Sequence, residues 1–312
     1  MTTACAPGQI ILLGEHAVVY GRPALAVPVR QVQACATIEL AASGPPGGVW
    51  LGASELGFSS WLHDLPRDHP LATICRTTLA ALAAEAFSPI QVTITSAIPV
   101  ASGLGSSAAV SVAAARALNL HFGGSLPVER ISELAFEVER IHHGTPSGID
   151  NTVVAFDLPV YFHQGERPQP LSIRGSFSFL IGDTGIAAPT AEAVGRVRQR
   201  WIAEAASLEA AFDQIADLVL DARMALELGD PRRLGSDLDR NHELLRELGV
   251  SSAELDRLVQ AARAGGALGA KMSGGGMGGN MIALVQPDHR EAVAGALKAA
   301  GAAGVLQTEV SA

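Results

Sequence analysis

Apolar and polar positions along the chain follow two periods. Short β-like runs fall at about Ile10–Leu13, Val32–Leu40, Ile90–Thr95 and Val153–Phe162, each set off by glycine and proline. Between them the spacing turns helical. From Val128 to His142 the residues Ile131, Leu134, Ala135, Val138 and His142 recur at i, i+3, i+4, i+7 and i+11, one face of a helix. Another helix is expected over Ala108–Leu120. A strand at Phe177–Ile181 precedes a helical stretch from Thr190 to about Leu228, and helices over Arg232–Leu248 and Ser252–Ala264 follow. The chain closes with strand-like Gly269–Met272, a glycine cluster, a strand at Met281–Val285, a helix over His289–Ala300 and a last strand near Val305–Val310. Strands and helices mix without the regular alternation of a doubly wound sheet, which predicts an α+β protein of two lobes. The boundary is expected near Gly175–Gly185, with an N-terminal lobe over 1–180 and a C-terminal lobe over 181–312.

Composition narrows the function classes. Of 312 residues, 22 are Lys or Arg and 31 Asp or Glu, a formal charge of −9, and the only lysines are Lys271 and Lys298. A surface that binds a phosphate backbone needs clustered cations, so nucleic acid is not an expected partner. The longest uncharged stretch of interest, Ala97–Ala115, contains Pro99, glycines and serines and reads as a loop entering a helix. No membrane partner is therefore expected, and the N-terminal residues lack the basic flank of a signal peptide. Cys5, Cys35 and Cys75 are odd in number and far apart. Neither a disulfide framework nor a zinc site is expected from them, and a cytoplasmic location fits.

Two glycine clusters carry candidate chemistry. Pro99-Val-Ala101-Ser102-Gly103-Leu104-Gly105-Ser106-Ser107-Ala108 follows a β-like run and opens into a helical pattern. Small residues let backbone amides approach an anion, and the helix start adds unpaired N–H groups and a positive dipole end. Ser106 and Ser107 offer hydroxyls that could cap the helix or ligate a metal. A glycine turn with serine caps explains this segment as well as a phosphate site does. A dinucleotide fold would need a second strand ending in an acid, and a Walker loop would need Gly-Lys-Ser/Thr; neither is present. The second cluster, Lys271-Met-Ser-Gly-Gly-Gly-Met-Gly-Gly-Asn280, has more glycine than a hairpin turn needs and implies close backbone approach.

Two acids stand out. On the helix Val128–His142, with about 100° per residue, Glu139 lies roughly 80° from Ile131, on the flank of the buried face, where it could hold a divalent cation. Asp150 follows a tight loop, His143-Gly-Thr-Pro-Ser-Gly-Ile149, at the entry to the strand expected from Val153, and is a candidate base or an Asx-turn residue.

In order along the chain, Ala6-Pro-Gly-Gln-Ile-Ile-Leu-Leu-Gly-Glu-His-Ala-Val-Val-Tyr-Gly21, the Pro99–Ala109 loop, Glu139–Asn151 and the terminal glycine cluster resemble the galactokinase, homoserine kinase, mevalonate kinase and phosphomevalonate kinase (GHMP) superfamily, nearest to its mevalonate-phosphorylating branch. The resemblance covers almost the whole chain. It implies a ribosomal-S5-like N-terminal lobe, a ferredoxin-like C-terminal lobe and transfer of the ATP γ-phosphoryl group to the 5-hydroxyl of mevalonate. Carried over by position, the segment Pro99, Ala101, Ser102, Gly103, Leu104, Gly105, Ser106, Ser107 and Ala108 binds ATP. Ser107 and Glu139 hold Mg²⁺, and Asp150 takes or orients the hydroxyl proton. Glu15, His16, Thr190 and Gly275 contact substrate. Homodimers are common among such relatives, so a second copy of the chain is a further implied partner.

Two positions depart from the family pattern. Gln9 stands where a catalytic lysine is usual, and Ala187-Ala188-Pro189-Thr190 replaces a segment that carries an arginine. Both remove a cation, and glutamine can offer only hydrogen bonds. Activity on phosphomevalonate or another hydroxy acid, or a weakly catalytic sensor of nucleotides, are the alternatives these departures leave open.

Overall fold

The computed structural model describes residues 1–53, 57–99, 103–143, 146–187 and 190–311, apart from the side chains of residues 142 and 143. Ala101, Ser102, Ala188 and Pro189 lie outside the described residues. The chain divides into two compact units, one of Met1–Gly8, Val29–Pro99 and Gly105–Asp157, the other of Gln9–Pro28, Val100–Leu104 and Leu158–Ala312. The long strands β1 (Thr2–Leu13) and β2 (Ala24–Leu40) pair with each other, and each contributes to both units.

In the first unit β3 (Val49–Ala53), β4 (Phe58–Trp61) and β5 (Ile90–Ser96) join β2 in the order β4-β3-β5-β2. The β3–β5 pair is parallel and the β3–β4 and β2–β5 pairs antiparallel, so the sheet is mixed. Four helices pack together beside it: α1 (Pro70–Ala81), α2 (Ser106–His121), α3 (Val128–His143) and α4 (Ile149–Phe156). Helix α2 is central because it is made of small residues. Ala108, Ala109, Ala113, Ala114, Ala115 and Ala117 are all buried, which lets neighbouring helices come close.

Two expectations fail here. The strand read at Val153–Phe162 is helix α4 up to Phe156, and only Val160–Phe162 is a strand, β6. A short apolar run bounded by glycine has no period that separates strand from buried helix, and Ile149, Val153, Val154 and Ala155 are buried together. Asp150 accordingly sits in the first turn of a helix, after Gly148 in the left-handed conformation. The cysteine expectation also fails, since Cys5 and Cys35 form a disulfide with Cα atoms 4.1 Å apart. Their separation of 30 residues is bridged by the β1–β2 pairing, so sequence distance says nothing about redox compartment. Cys75 is buried and free.

In the second unit β6 pairs with the start of β2 and with β7 (Gln169–Pro170). A separate antiparallel sheet has the order β11-β8-β10-β9, from β8 (Ser176–Asp183), β9 (Gly269–Ser273), β10 (Asn280–Val285) and β11 (Gly304–Ser311). With α8 (Ala253–Ala264) before β9 and α9 (Arg290–Ala299) before β11, this is the ferredoxin-like arrangement. The helical stretch expected from Thr190 to Leu228 is two helices, α5 (Thr190–Ala203) and α6 (Ala205–Leu228), broken where Glu204 adopts φ −135°.

β9 is an edge strand, and an edge leaves N–H groups to satisfy. Helix α7 (Pro231–Glu247) satisfies two of them with side chains. The Ala270 N–H donates to Asp239 Oδ1 at 2.8 Å, and the Met272 N–H donates to His242 Nδ1 at 3.3 Å. Gly235 and Gly269 allow this approach, because a Cβ on Gly269 would fall 1.9 Å from the Gly235 carbonyl oxygen.

Candidate active site

The glycine loop leads from β5 into α2. Gly105 caps the helix in the left-handed conformation with φ 69°, and as a glycine it brings no side-chain cap to the first turn. A glycine at the cap supplies no side-chain acceptor to the first N–H groups of this 16-residue helix, as an anion site requires. Ser107 turns its hydroxyl instead to the Glu139 carboxylate on α3. Glu139 is 3% exposed, and burial raises its carboxyl above the ordinary glutamate range while the Ser107 hydrogen bond works against that rise. Ile131, Leu134, Ala135 and Val138 form the buried face of α3, so the helical wheel places Glu139 correctly. One hydroxyl and one carboxylate beside a phosphate-type helix start are hard oxygen donors that fit Mg²⁺ completed by phosphate oxygens and water. Among the described residues no cluster of three or more His, Cys, Asp or Glu forms a metal site by itself.

Asp150 is half-buried in the first turn of α4, where an acid complements the helix dipole. Its helix is anchored from the next residue. Asn151 Nδ2 donates to the Ser132 carbonyl at 3.1 Å and to Ser132 Oγ at 2.9 Å on α3, so α4 and the helix bearing Glu139 hold a fixed relation.

The second unit gathers the residues expected to meet substrate. Glu15 is 1% exposed and forms an ion pair with Lys271 of β9, which is 0% exposed. Asn241 Nδ2 on α7 donates to the other Glu15 oxygen at 3.2 Å. Burial pushes Glu15 up and Lys271 down; mutual attraction opposes both changes, so the pair is electrically neutral as a unit. His16 Nε2 donates to the Gly275 carbonyl at 2.9 Å, and a Cβ on Gly275 would lie 3.3 Å from Thr190 Oγ1. Glu15, His16, Thr190 and Gly275 thus form one connected group.

The terminal glycine cluster also reaches the loop before α2. Gly274 lies against the Gly103 backbone, where a Cβ would sit 3.5 Å from the Gly103 carbonyl oxygen. Gln9, which is 2% exposed, donates its backbone N–H to the Leu104 carbonyl at 3.0 Å, and Ser273 Oγ donates to the Ile11 carbonyl at 3.0 Å.

Residues 72–157 match the GHMP kinases N terminal domain and residues 222–303 the GHMP kinases C terminal domain. The chain is 36% identical to a mevalonate kinase of Pyrococcus horikoshii, over 96% of this chain and 92% of that protein. The chain belongs to the GHMP kinase family, among its mevalonate kinases. It is also 35% identical to a mevalonate kinase of Aeropyrum pernix, over 92% of this chain and 90% of that one. Among solved structures, mevalonate kinase of L. major in complex with R-mevalonate superposes with a TM-score of 0.83 at 29% identity, covering 100% of this chain and 96% of that chain. Family membership makes the chain a phosphotransferase acting on a hydroxyl group.

Lys271 and Asn241 each open a stretch that contributes to the resemblance or to the glycine cluster, but the sequence assigns neither a role. Lys271 opens the glycine cluster and is one of two lysines in an arginine-rich chain, and that rarity was the available signal. Asn241 carried none, because its role depends on α7 lying along the edge of β9.

Proposed function

We propose that the chain transfers the γ-phosphoryl group of ATP to the 5-hydroxyl of mevalonate. The observation that carries this reading is the Ser107–Glu139 contact at the glycine-capped start of α2, which suits a phosphate cradle with a carboxylate beside it. In this reading the amides from Gly103 to Ala108 bind the ATP phosphates, and Ser107 and Glu139 hold Mg²⁺. The ion, when bound, neutralises charge on the phosphate oxygens. Asp150 accepts the proton of the attacking hydroxyl. Glu15, His16, Thr190 and Gly275 shape the substrate side, and Gln9 contributes hydrogen bonds where relatives of the expected pattern have a cation. Phosphoryl transfer depends on positioning and charge stabilisation, so these groups suffice without covalent catalysis.

The test is ADP release by purified protein with Mg·ATP and mevalonate, phosphomevalonate, homoserine or galactose as acceptor. Turnover with mevalonate well above the other three is expected. Preference for another acceptor, or ATP binding without turnover of any, would overturn the reading.

A further inference from the structure

Helix α4 has 8 residues, too few to be stable by its own hydrogen bonds, so its placement depends on what holds its ends. At its start Gly148 brings no side-chain cap, and at its end Asp157 turns left-handed and returns its N–H to the Val153 carbonyl. The carbonyls of Val154 and Ala155 belong to the last turn, where a helix has no N–H groups left to offer them. Arg116 of α2 takes both, donating from Nη2 to the Ala155 carbonyl at 2.8 Å and more loosely to Val154 at 3.5 Å. Its Nη1 donates at 2.8 Å to the carbonyl of Cys5, which the disulfide ties to Cys35 on β2. All three bonds end on backbone oxygens, and burial pushes the guanidinium below its ordinary value while Asp157 opposes that change. A half-buried cation that meets only carbonyls is a costly anchor, and what it secures is the position of a helix end. From the exposed side Arg30 on β2 closes the same end, donating from Nε to Asp157 Oδ1 at 2.8 Å and from Nη2 to the Asp157 carbonyl at 2.5 Å.

We propose that Arg116 is a positioning residue for the transfer reaction: from α2 it fixes the C-terminal end of α4, and so holds Asp150, near the other end of α4, in register with Ser107 at the start of α2. The inference rests on the kinase reading above and deepens it. Both arms of this lever are short and stiff. Ser107 and Arg116 share one helix with a rise of about 13–14 Å between them, and Asp150 lies about 7–8 Å along α4 from Ala155. The two ends of α4 are tied to different helices. Asn151, next to Asp150, is bound to Ser132 on α3, the helix of Glu139, whereas Val154 and Ala155 are bound to α2, the helix of Ser107. The proposed base is thereby referred to both proposed metal ligands, and neither tie alone fixes the tilt of α4. An arginine suits the task because its planar fork reaches acceptors on α4 and β1 at once, whereas the compact ammonium of a lysine cannot span both.

A double-mutant cycle on kcat reads this directly, in full-length protein with Mg·ATP and mevalonate, each rate expressed per nucleotide-binding site. Arg116→Met keeps the aliphatic stem and removes the donors. It should lower kcat about 10- to 100-fold, the range for a reacting group displaced by about 1 Å, with KM for both substrates changed less than about threefold. In an Asp150→Ala background the same change should lower kcat less than about twofold further, because Arg116 acts through Asp150. Arg116→Lys should recover part of the loss, and it carries the cycle if Arg116→Met fails to fold. Asn119→Ala is the matched control, since it removes hydrogen bonds from the same helix to Leu126 rather than to α4. It should lower Tm and leave kcat within about twofold of wild type. Equal losses with and without Asp150, or a wild-type kcat in Arg116→Met, would overturn the inference alone. Preference of the wild type for another acceptor would count against the proposed function, and the cycle run with that acceptor would still decide the role of Arg116. No turnover of any acceptor would overturn both.

Discussion

Lys271 and Glu15 form an ion pair that solvent does not reach, and they lie 256 residues apart in the chain. One comes from the segment after β1 and the other from the edge strand of the ferredoxin-like sheet. Desolvation works against both charges, so the pair is held by its own attraction and by Asn241, within a fold that has already brought β9 and α7 together.

Breaking the pair from one side leaves a buried, uncompensated charge. Lys271→Ala should cost about 3–5 kcal/mol of unfolding free energy in urea titrations. Glu15→Gln combined with Lys271→Met should cost clearly less than the sum of the two single changes, because it removes both charges together. An additive double mutant would show that the two residues do not share one interaction.

Asp150 is half-buried, and its helix is anchored by Asn151, so its removal should affect chemistry far more than folding. Asp150→Ala is expected to lower kcat by a factor on the order of 10²–10⁴ with Tm nearly unchanged. Near-native ADP release would remove Asp150 from the mechanism. Asn151→Ala, by contrast, should lower Tm, because it breaks the tie between α4 and α3.

Gly276 adopts φ 82°, and a Cβ there would fall 2.1 Å from the Val250 carbonyl oxygen, which also accepts from the Met277 N–H at 2.7 Å. Gly276→Ala should therefore cost at least about 1–3 kcal/mol and weaken substrate binding. A variant as stable as the parent would mean that this turn rearranges freely. Gly195, with open space around its Cβ position on α5, should accept alanine without loss and serves as the control.

Asp237 on α7 gives the pH prediction. It is buried, and desolvation, followed by the Asp221 carboxylate on α6, pushes its carboxyl up to about 7. A carboxyl raised in the folded state adds stability below its unfolded value and loses it as pH rises through the folded one. Asp237→Asn keeps a donor toward Asp221 without the charge. It should raise Tm at pH 8 and leave it nearly unchanged near pH 4, and equal melting curves at both would contradict this placement of Asp237.

Much of this architecture is legible in the residues themselves. Ile131, Leu134, Ala135 and Val138 mark the buried face of α3, and that face locates Glu139, because helical period is a local property. The α4 segment is misread for the same reason: Val153 and Val154 in a short run have no period long enough to decide. Contacts that depend on strand order are not local at all. Cys5 meets Cys35 through the β1–β2 pairing, and Lys271 meets Glu15 because β9 takes the edge of its sheet beside α7. Neither pairing can be read from spacing along the chain. Gln9 reads as a lost cation from the sequence, and the structure adds only that a fully buried lysine, bound to Glu15, belongs to the same unit.

The most direct test is the product. Purified protein with Mg·ATP and R-mevalonate, followed by phosphorus-31 NMR, should yield ADP and one new phosphomonoester whose phosphorus couples to the C5 methylene protons. Glu139→Ala should abolish that signal under the same conditions. An ester on another oxygen, or ATP left intact in the presence of mevalonate, would contradict the account.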